Sequence, residues 1–332
     1  RHVDQPHGDG SGVVELMPRR GMGSGPIIAG AGIGVALGVA LGTFAVAPVV
    51  DGESSASAYN QVREEYRKNL QSSKILEAQM ASGDSIISDL APTTVDGTLV
   101  QRPVLVMTTS TAQDGDVSAV QSLLKSSDIV NAGTIELSDG FFKQENADTV
   151  ESLLANTLPA GATLSTDTMS MGLHAGEALG AALFLNPDTT QPLAKTDERA
   201  VLLRALRDKG FINYEDGTIL PAQAIVVIDG KTDGEGSSAF RATNLADMMK
   251  GFAEVGEHAV LAARIESTAD KGPIGILRAD AKSTVSTVDS IDRSWARMAT
   301  VLAVREQLDG GDGAYGSAAS ADAAAPAVPQ VD

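Results

Sequence analysis

The chain has 332 residues, 43% of them hydrophobic, with a net charge of −18, a pI near 4.5 and no cysteine. That length and composition support a sizeable buried core and about two domains, and the acidity argues against nucleic acid or an anionic lipid surface as a partner. Without cysteine there can be no disulfide, thiolate nucleophile or cysteine-based metal site; a basic protein surface, a basic ligand or a cation suits the charge.

Residues 1–25 are polar, glycine-rich and without period, which predicts a disordered cytoplasmic segment. Met17, just before Pro18-Arg19-Arg20, stands as a natural start, so residues 1–16 read as either an extension or an upstream misread. The uncharged run 26–50, PIIAGAGIGVALGVALGTFAVAPVV, admits three readings. A phosphate loop fails, because Gly30-x-Gly32 meets Val35, and Gly32-x-Gly34 meets Leu37, where a third glycine is required, and there is no lysine. A cleaved signal peptide would use Arg19, Arg20 and Ala45-Val46-Ala47, but the run exceeds the usual apolar stretch of about 7–15 residues, and Pro48 would follow the cut. A transmembrane anchor accounts for the whole run: as a helix it extends roughly 37 Å, enough for a hydrocarbon core of about 30 Å. Gly30, Gly34, Gly38 and Gly42 share one face and offer a close-packing seam for a second helix. Arg19 and Arg20 before the span, with Asp51 and Glu53 after it, predict a cytoplasmic N-terminus and an extracytoplasmic remainder.

Residues 53–91 read as a coiled-coil stalk. Alternating steps of three and four from Tyr59 give Tyr59, Val62, Tyr66, Asn69, Ser73, Leu76, Met80, Gly83, Ile87 and Leu90, mostly apolar among charged or polar neighbours. The competing reading is an amphipathic helix packed on its own domain; continuity with the glycine seam favours a parallel homodimer, with Asn69 fixing register. Pro92 is expected to end the helix.

From residue 102 to 310 the pattern becomes α/β. PVLVMTT (103–109) predicts a strand, and Val117, Val120, Leu123 and Leu124 mark the apolar face of a helix. A second strand follows at 134–139, then helices at 145–157, 170–185 and 197–208. AQAIVVIDG (222–230) is the clearest buried strand; after it come a helix through 240–255, strands at 258–265, 274–280 and 286–292, and a helix around 293–308. Near-continuous apolar strands alternating with helices predict a parallel sheet covered on both faces, Rossmann-like or flavodoxin-like in layout. The Ala/Ser/Pro-rich tail, 317–332, is expected to be disordered.

Ser286-Thr287-Val288-Asp289-Ser290, Ala299-Thr300-Val301-Leu302-Ala303 and the closing Gly313-Ala314-Tyr315-Gly316, placed behind a glycine-rich anchor and a stalk, resemble the actinobacterial MctB family of copper transporters. The resemblance covers about residues 27–316 and implies an envelope protein with a part in copper homeostasis; it brings no copper ligands with it. The family also includes SteB, a cell-division partner that works with SteA on a peptidoglycan hydrolase. An alternative role as a regulator that binds such partners through the coiled coil is therefore implied as well.

Copper(I) favours sulfur ligands, with imidazole acceptable. The one dense set is Met169-Ser170-Met171-Gly172-Leu173-His174, which makes Met169, Met171 and His174 the candidate metal ligands. The plainer reading is that these methionines fill a core and the histidine packs on a helix; Met248-Met249 and His258 read as structural too. Catalysis finds little footing: a Ser-His-Asp triad would need His174 or His258 without a G-x-S-x-G elbow, and Asp289 with Asp292 is a weak carboxylate pair. The short buried strands do not resemble a lipid-facing barrel, and one glycine-rich helix with only Thr43 as polar lining makes a dry pore. A non-enzymatic, membrane-anchored dimeric scaffold is the reading that remains, bound to another envelope or division protein and needing no firmly implied cofactor, although copper fits the family.

Overall fold

A computed structural model describes residues 52–328. Among them no helix is long and apolar enough to cross a membrane. The segment expected to be disordered at 1–25, and the anchor expected over 26–50 with its four glycines, lie outside the described residues.

Helix α1 (Gly52–Val95) carries the stalk sequence. It does not stop at Pro92 as expected. The ring removes the donor that would reach the Ser88 carbonyl, but Ala91 and Val95 are buried with Leu99 in a core cluster, which holds the last turn in helical form. The Thr98 hydroxyl then donates to the Val95 carbonyl at 2.7 Å, and the chain turns into the sheet.

The elements that follow are β1 (Pro103–Thr109), α2 (Asp114–Ser126), β2 (Val130–Leu137), α3 (Ala147–Asn156), α4 (Met171–Leu183), α5 (Thr196–Asp208), β3 (Ile212–Asn213) and β4 (Ala224–Ile228). Next come α6 (Ala239–Gly256), β5 (Ala259–Ala262), α7 (Pro273–Ala279), β6 (Ser286–Val288), α8 (Ser294–Leu308) and β7 (Ala314–Tyr315). The seven strands lie in the order β3-β2-β1-β4-β5-β6-β7. All are parallel except the short β3, which runs antiparallel to β2. Without the short antiparallel β3, the parallel strands run β2-β1-β4-β5-β6-β7, the flavodoxin-like order with its reversal between β1 and β4; a Rossmann layout would need β3 to run parallel.

Both faces of the central strands are covered, which is why they read as unbroken apolar runs. Leu105, Met107, Ile225, Val227 and Leu261 face α3 to α6, while Val104, Val106, Val226, Ile228 and Val260 face the end of α1, α2 and α8. Each such side chain contributes roughly 1.5–3 kcal/mol on full burial. Helix α4 is buried on every side. Its Gly172 and Gly176 pass so close to the backbone of α6 at Asn244 and Met248 that a methyl group on either would overlap a carbonyl.

Three expectations need correction. The segment at 274–280 is helix α7 and no strand; Pro273 stands at its first turn with φ pre-set, and Gly272 packs too tightly against Ser267 for a side chain. The strand expected at 286–292 ends at Val288, because Ser290 takes a left-handed conformation (φ 61°) and turns the chain away from the ladder. Residues 317–328 follow a defined path: Ala323 bridges Tyr315 in parallel, and Asp322 N–H donates to the Ala314 carbonyl at 2.7 Å. Composition alone hid that path, since short polar and alanine residues are here fixed by backbone hydrogen bonds.

Candidate functional site

Open α/β sheets bind ligands outside the carboxyl ends of their strands, at the point where strand order reverses. In this chain that point lies between Thr109 at the end of β1 and Asp229 just after β4. The Thr109 and Thr111 hydroxyls both donate to Asp229 Oδ1, at 2.5 and 2.6 Å, and Gly230 N–H donates to Thr111 Oγ1 at 3.1 Å. Gly230 lies so close to the Thr111 carbonyl that any side chain there would collide with it. The first turn of α2, which in a dinucleotide site presents free N–H groups to phosphate, here carries Asp114 and Asp116. Asp116 is buried and accepts from Arg264 at 2.9 Å and from Arg297 at 2.8 Å. Arg241, from the first turn of α6, reaches across to Ser110 and to Asp139 after β2, whose carboxyl is held below its ordinary value by hydrogen bonds from Lys143 and Arg241. The crevice is filled by the protein's own groups. Among the described residues, Asp229 Oδ2 and Thr232 Oγ1 remain buried there without a hydrogen-bond partner.

The motif segments come together further along the same edge. Asp289 (0% exposed) pairs with Arg278 at 3.0 Å and accepts from Ser317 N–H and the Ser290 hydroxyl, each at 2.8 Å. Arg278 also donates to the Tyr315 carbonyl at 2.7 Å, to Thr287 Oγ1 at 2.9 Å and to Ser320 Oγ at 3.1 Å. Desolvation lowers the Arg278 pKa, opposed by its contacts to Asp289. Gly316 passes against the same carboxylate, leaving no room for a side chain. Ser286 to Ser290 and Gly313 to Gly316 are thus two sides of one structural clamp. Asp292 points elsewhere, toward Arg293 at 3.6 Å, so the two carboxylates considered for catalysis do not face a common space through free oxygens.

The candidate copper ligands are placed in different surroundings. Met169 is 83% exposed, whereas Met171 and His174 are buried in α4. His174 Nε2 lies 2.9 Å from the Ser165 carbonyl, an oxygen that only accepts, so this nitrogen carries the ring hydrogen; Nδ1 faces Glu151 at 3.9 Å. Glu177, one turn on, accepts from Ser165 N–H at 2.9 Å. Together the two side chains clamp the loop before α4. Among the described residues no group of three or more His, Asp or Glu could hold a metal ion. Met248 and Met249 lie in the core, and His258 is half-buried with its pKa lowered first by desolvation.

The conspicuous unused surface is on α1. Val62, Tyr66, Leu76, Met80 and Leu90 from the heptad count are exposed, Tyr66 by 61% and Leu76 by 58%. Leu70, Ile75 and Ile86 add exposed apolar area that the heptad count does not register. Asn69 and Ser73 are exposed as well, while Gly83 and Ile87 are half-buried. Asp84, a residue the sequence reading passed over, accepts from Ser294 N–H at 2.6 Å and Ser294 Oγ at 3.2 Å. No local pattern announces that contact, because its two ends lie far apart in the chain.

A family model described as "Copper transport outer membrane protein, MctB" matches residues 27–326. The chain is 30% identical over 243 residues to the protein named Copper transporter MctB of Mycobacterium tuberculosis (strain H37Rv), covering 71% of this chain and 76% of that one. Its namesake in Mycobacterium bovis matches to the same extent. The Mycobacterium leprae protein of that name is 31% identical over 215 residues, covering 63% of this chain and 68% of its own. The chain belongs to the MctB family.

Proposed function

We propose that this MctB-family chain is a non-enzymatic scaffold of the cell envelope, anchored by residues 26–50 with its N-terminus in the cytoplasm and dimeric through α1. Its part in copper homeostasis, which the relatives' names suggest, then runs through protein contacts and not through a pore of its own. The single observation that carries the reading is the apolar stripe of α1, exposed at heptad spacing. Val62, Tyr66, Leu76 and Met80 left in water forgo roughly 1.5–3 kcal/mol each, and an identical helix in parallel register covers all of them at once, with Asn69 meeting its own copy. The described sheet is open, with β3 and β7 at its edges and helices on both faces. A lipid-facing barrel instead needs strands of about 9–11 residues that alternate apolar and polar, which favours a transport role exercised through partners.

The same stripe fits the alternative role, a SteB-like division regulator that binds a SteA-like protein and controls a peptidoglycan hydrolase through its coiled coil. Sedimentation equilibrium of residues 52–328 tests the first step. A dimer is expected, and Leu76→Glu, which sets two carboxylates face to face in the seam, should yield a monomer whose domain still melts cooperatively. A monomeric wild type would remove the scaffold reading. Calorimetric copper(I) titration of the same protein, beside capture of a SteA-like partner, separates the two roles: stoichiometric copper binding would reject an effect exercised only through partners.

A further inference from the structure

We infer that the two stalk helices part at Gly83–Asp84, where the seam face of α1 passes from the partner copy to the chain's own domain; the inference rests on the dimeric reading above. Seven residues make nearly two helical turns, so Met80 and Ile87 share a face, with Asp84 and Ala91 within a fraction of a turn of it. On the flank of that face nearest the domain exposure falls, while Leu90, the seam position on the opposite flank, stays 58% exposed. Met80 is 45% exposed, Asp84 and Ile87 are half-buried, and Ala91 and Val95 are buried among residues of α2 and α8.

Asp84 marks the change. The N-terminal turn of α8 has unpaired N–H groups, and Arg293, at its cap position, makes no capping hydrogen bond from its side chain. The Asp84 carboxylate takes the Ser294 N–H instead, a cap supplied from another helix and favoured by the positive end of the α8 dipole. A second stalk helix packed at the usual interaxial distance of about 8–10 Å along Gly83 and Ile87 would need the space that the domain already uses. One helix face therefore has two claimants, and the domain holds it from Asp84 onward. The dimer seam runs from Tyr59 to Met80, which is short for a coiled coil, and extending it to Ile87 requires Asp84 to leave Ser294.

The absence of native cysteine allows a clean test by oxidative cross-linking of single-cysteine variants of the full chain in membranes. Ser73→Cys and Ile87→Cys occupy the same heptad position two repeats apart. Ser73→Cys should cross-link efficiently and Ile87→Cys at no more than about a tenth of that yield, a difference of at least tenfold. Adding Asp84→Ala to Ile87→Cys should raise its yield several-fold, with the Trp295 fluorescence melt confirming that the domain stays folded. Equal cross-linking at the two positions overturns the parting point. An Ile87→Cys yield unmoved by Asp84→Ala overturns the role given to that carboxylate. Absence of cross-links at Ser73→Cys, Ile87→Cys and a Val62→Cys control overturns the dimer, and the parting point with it.

Discussion

Asp289→Ala strikes the clamp that the motif residues build, and its cost can be worked from the structure. The substitution leaves the Arg278 guanidinium, whose side chain is 5% exposed, without a counter-charge. Removing one partner of a buried ion pair typically costs about 3–5 kcal/mol. The Ser317 N–H loses its acceptor too, a penalty of about 1–3 kcal/mol that overlaps with the first. A net loss of about 4 kcal/mol, out of a usual domain stability of about 5–15 kcal/mol, is therefore expected. For a domain of this size that corresponds to a fall in melting temperature of roughly 8–16 °C. Trp295, the single tryptophan, is partly buried against the α2/α8 side of the core, so its fluorescence follows unfolding by urea or heat. The double variant Arg278→Met/Asp289→Asn removes both charges and should cost less than the sum of its single variants by at least about 2 kcal/mol. A fall of less than about 2 °C for Asp289→Ala, or an additive double variant, would refute the clamp.

Gly176→Ala should lose about 1–3 kcal/mol in urea titration, despite the gain of about 1 kcal/mol in helix propensity, because the added methyl meets the Met248 carbonyl across the α4–α6 contact; an unchanged or raised midpoint would contradict that packing. His258, with its native pKa lowered first by desolvation and also by Arg102 against an opposing Glu257, should make the domain less stable in acid. Since the unfolded chain takes up this proton first, near pH 6.5 or so, the stability is whole above that value and drains as the pH falls through the lower native one. The difference between wild type and His258→Gln in urea midpoints at pH 7 and pH 5 should show this slope, and parallel profiles would exclude it.

Much of the α/β domain is legible along the chain because it is written in neighbouring residues. AIVVI, β-branched in four of its five residues and closed by Asp229-Gly230, reads as a strand buried on both faces, and the spacing of Leu202, Leu203 and Leu206 marks the inward side of α5. The heptads of α1 are equally local, and the helix they lie on is present, with its residues 60–82 exposed on every side. Short apolar stretches are where this breaks down: IGILRAD fits either period, and a proline at the first turn settles it as α7 only once Gly272 is packed against Ser267. The tail was unreadable for a different reason, since Ser317, Ser320 and Asp322 act through partners just after β6, in α7 and in β7.

The same distinction governs the sites. A cluster such as Met169, Met171 and His174 is visible as a spacing, but whether its members share a space depends on helix α4 being buried while Met169 lies outside it, and on Ser165 reaching back to His174 and Glu177. Asp289 reads as one acid among 43 Asp and Glu until the sheet order brings Arg278 and Ser317 to its two sides. Asp84 shows nothing in its own neighbourhood, because its partner is Ser294 at the start of the last helix. Periodicity is set by residues within a turn or two of one another, so sequence alone determines the elements and their apolar faces. Which polar groups meet is set by chain topology across hundreds of residues, and only the folded structure decides it.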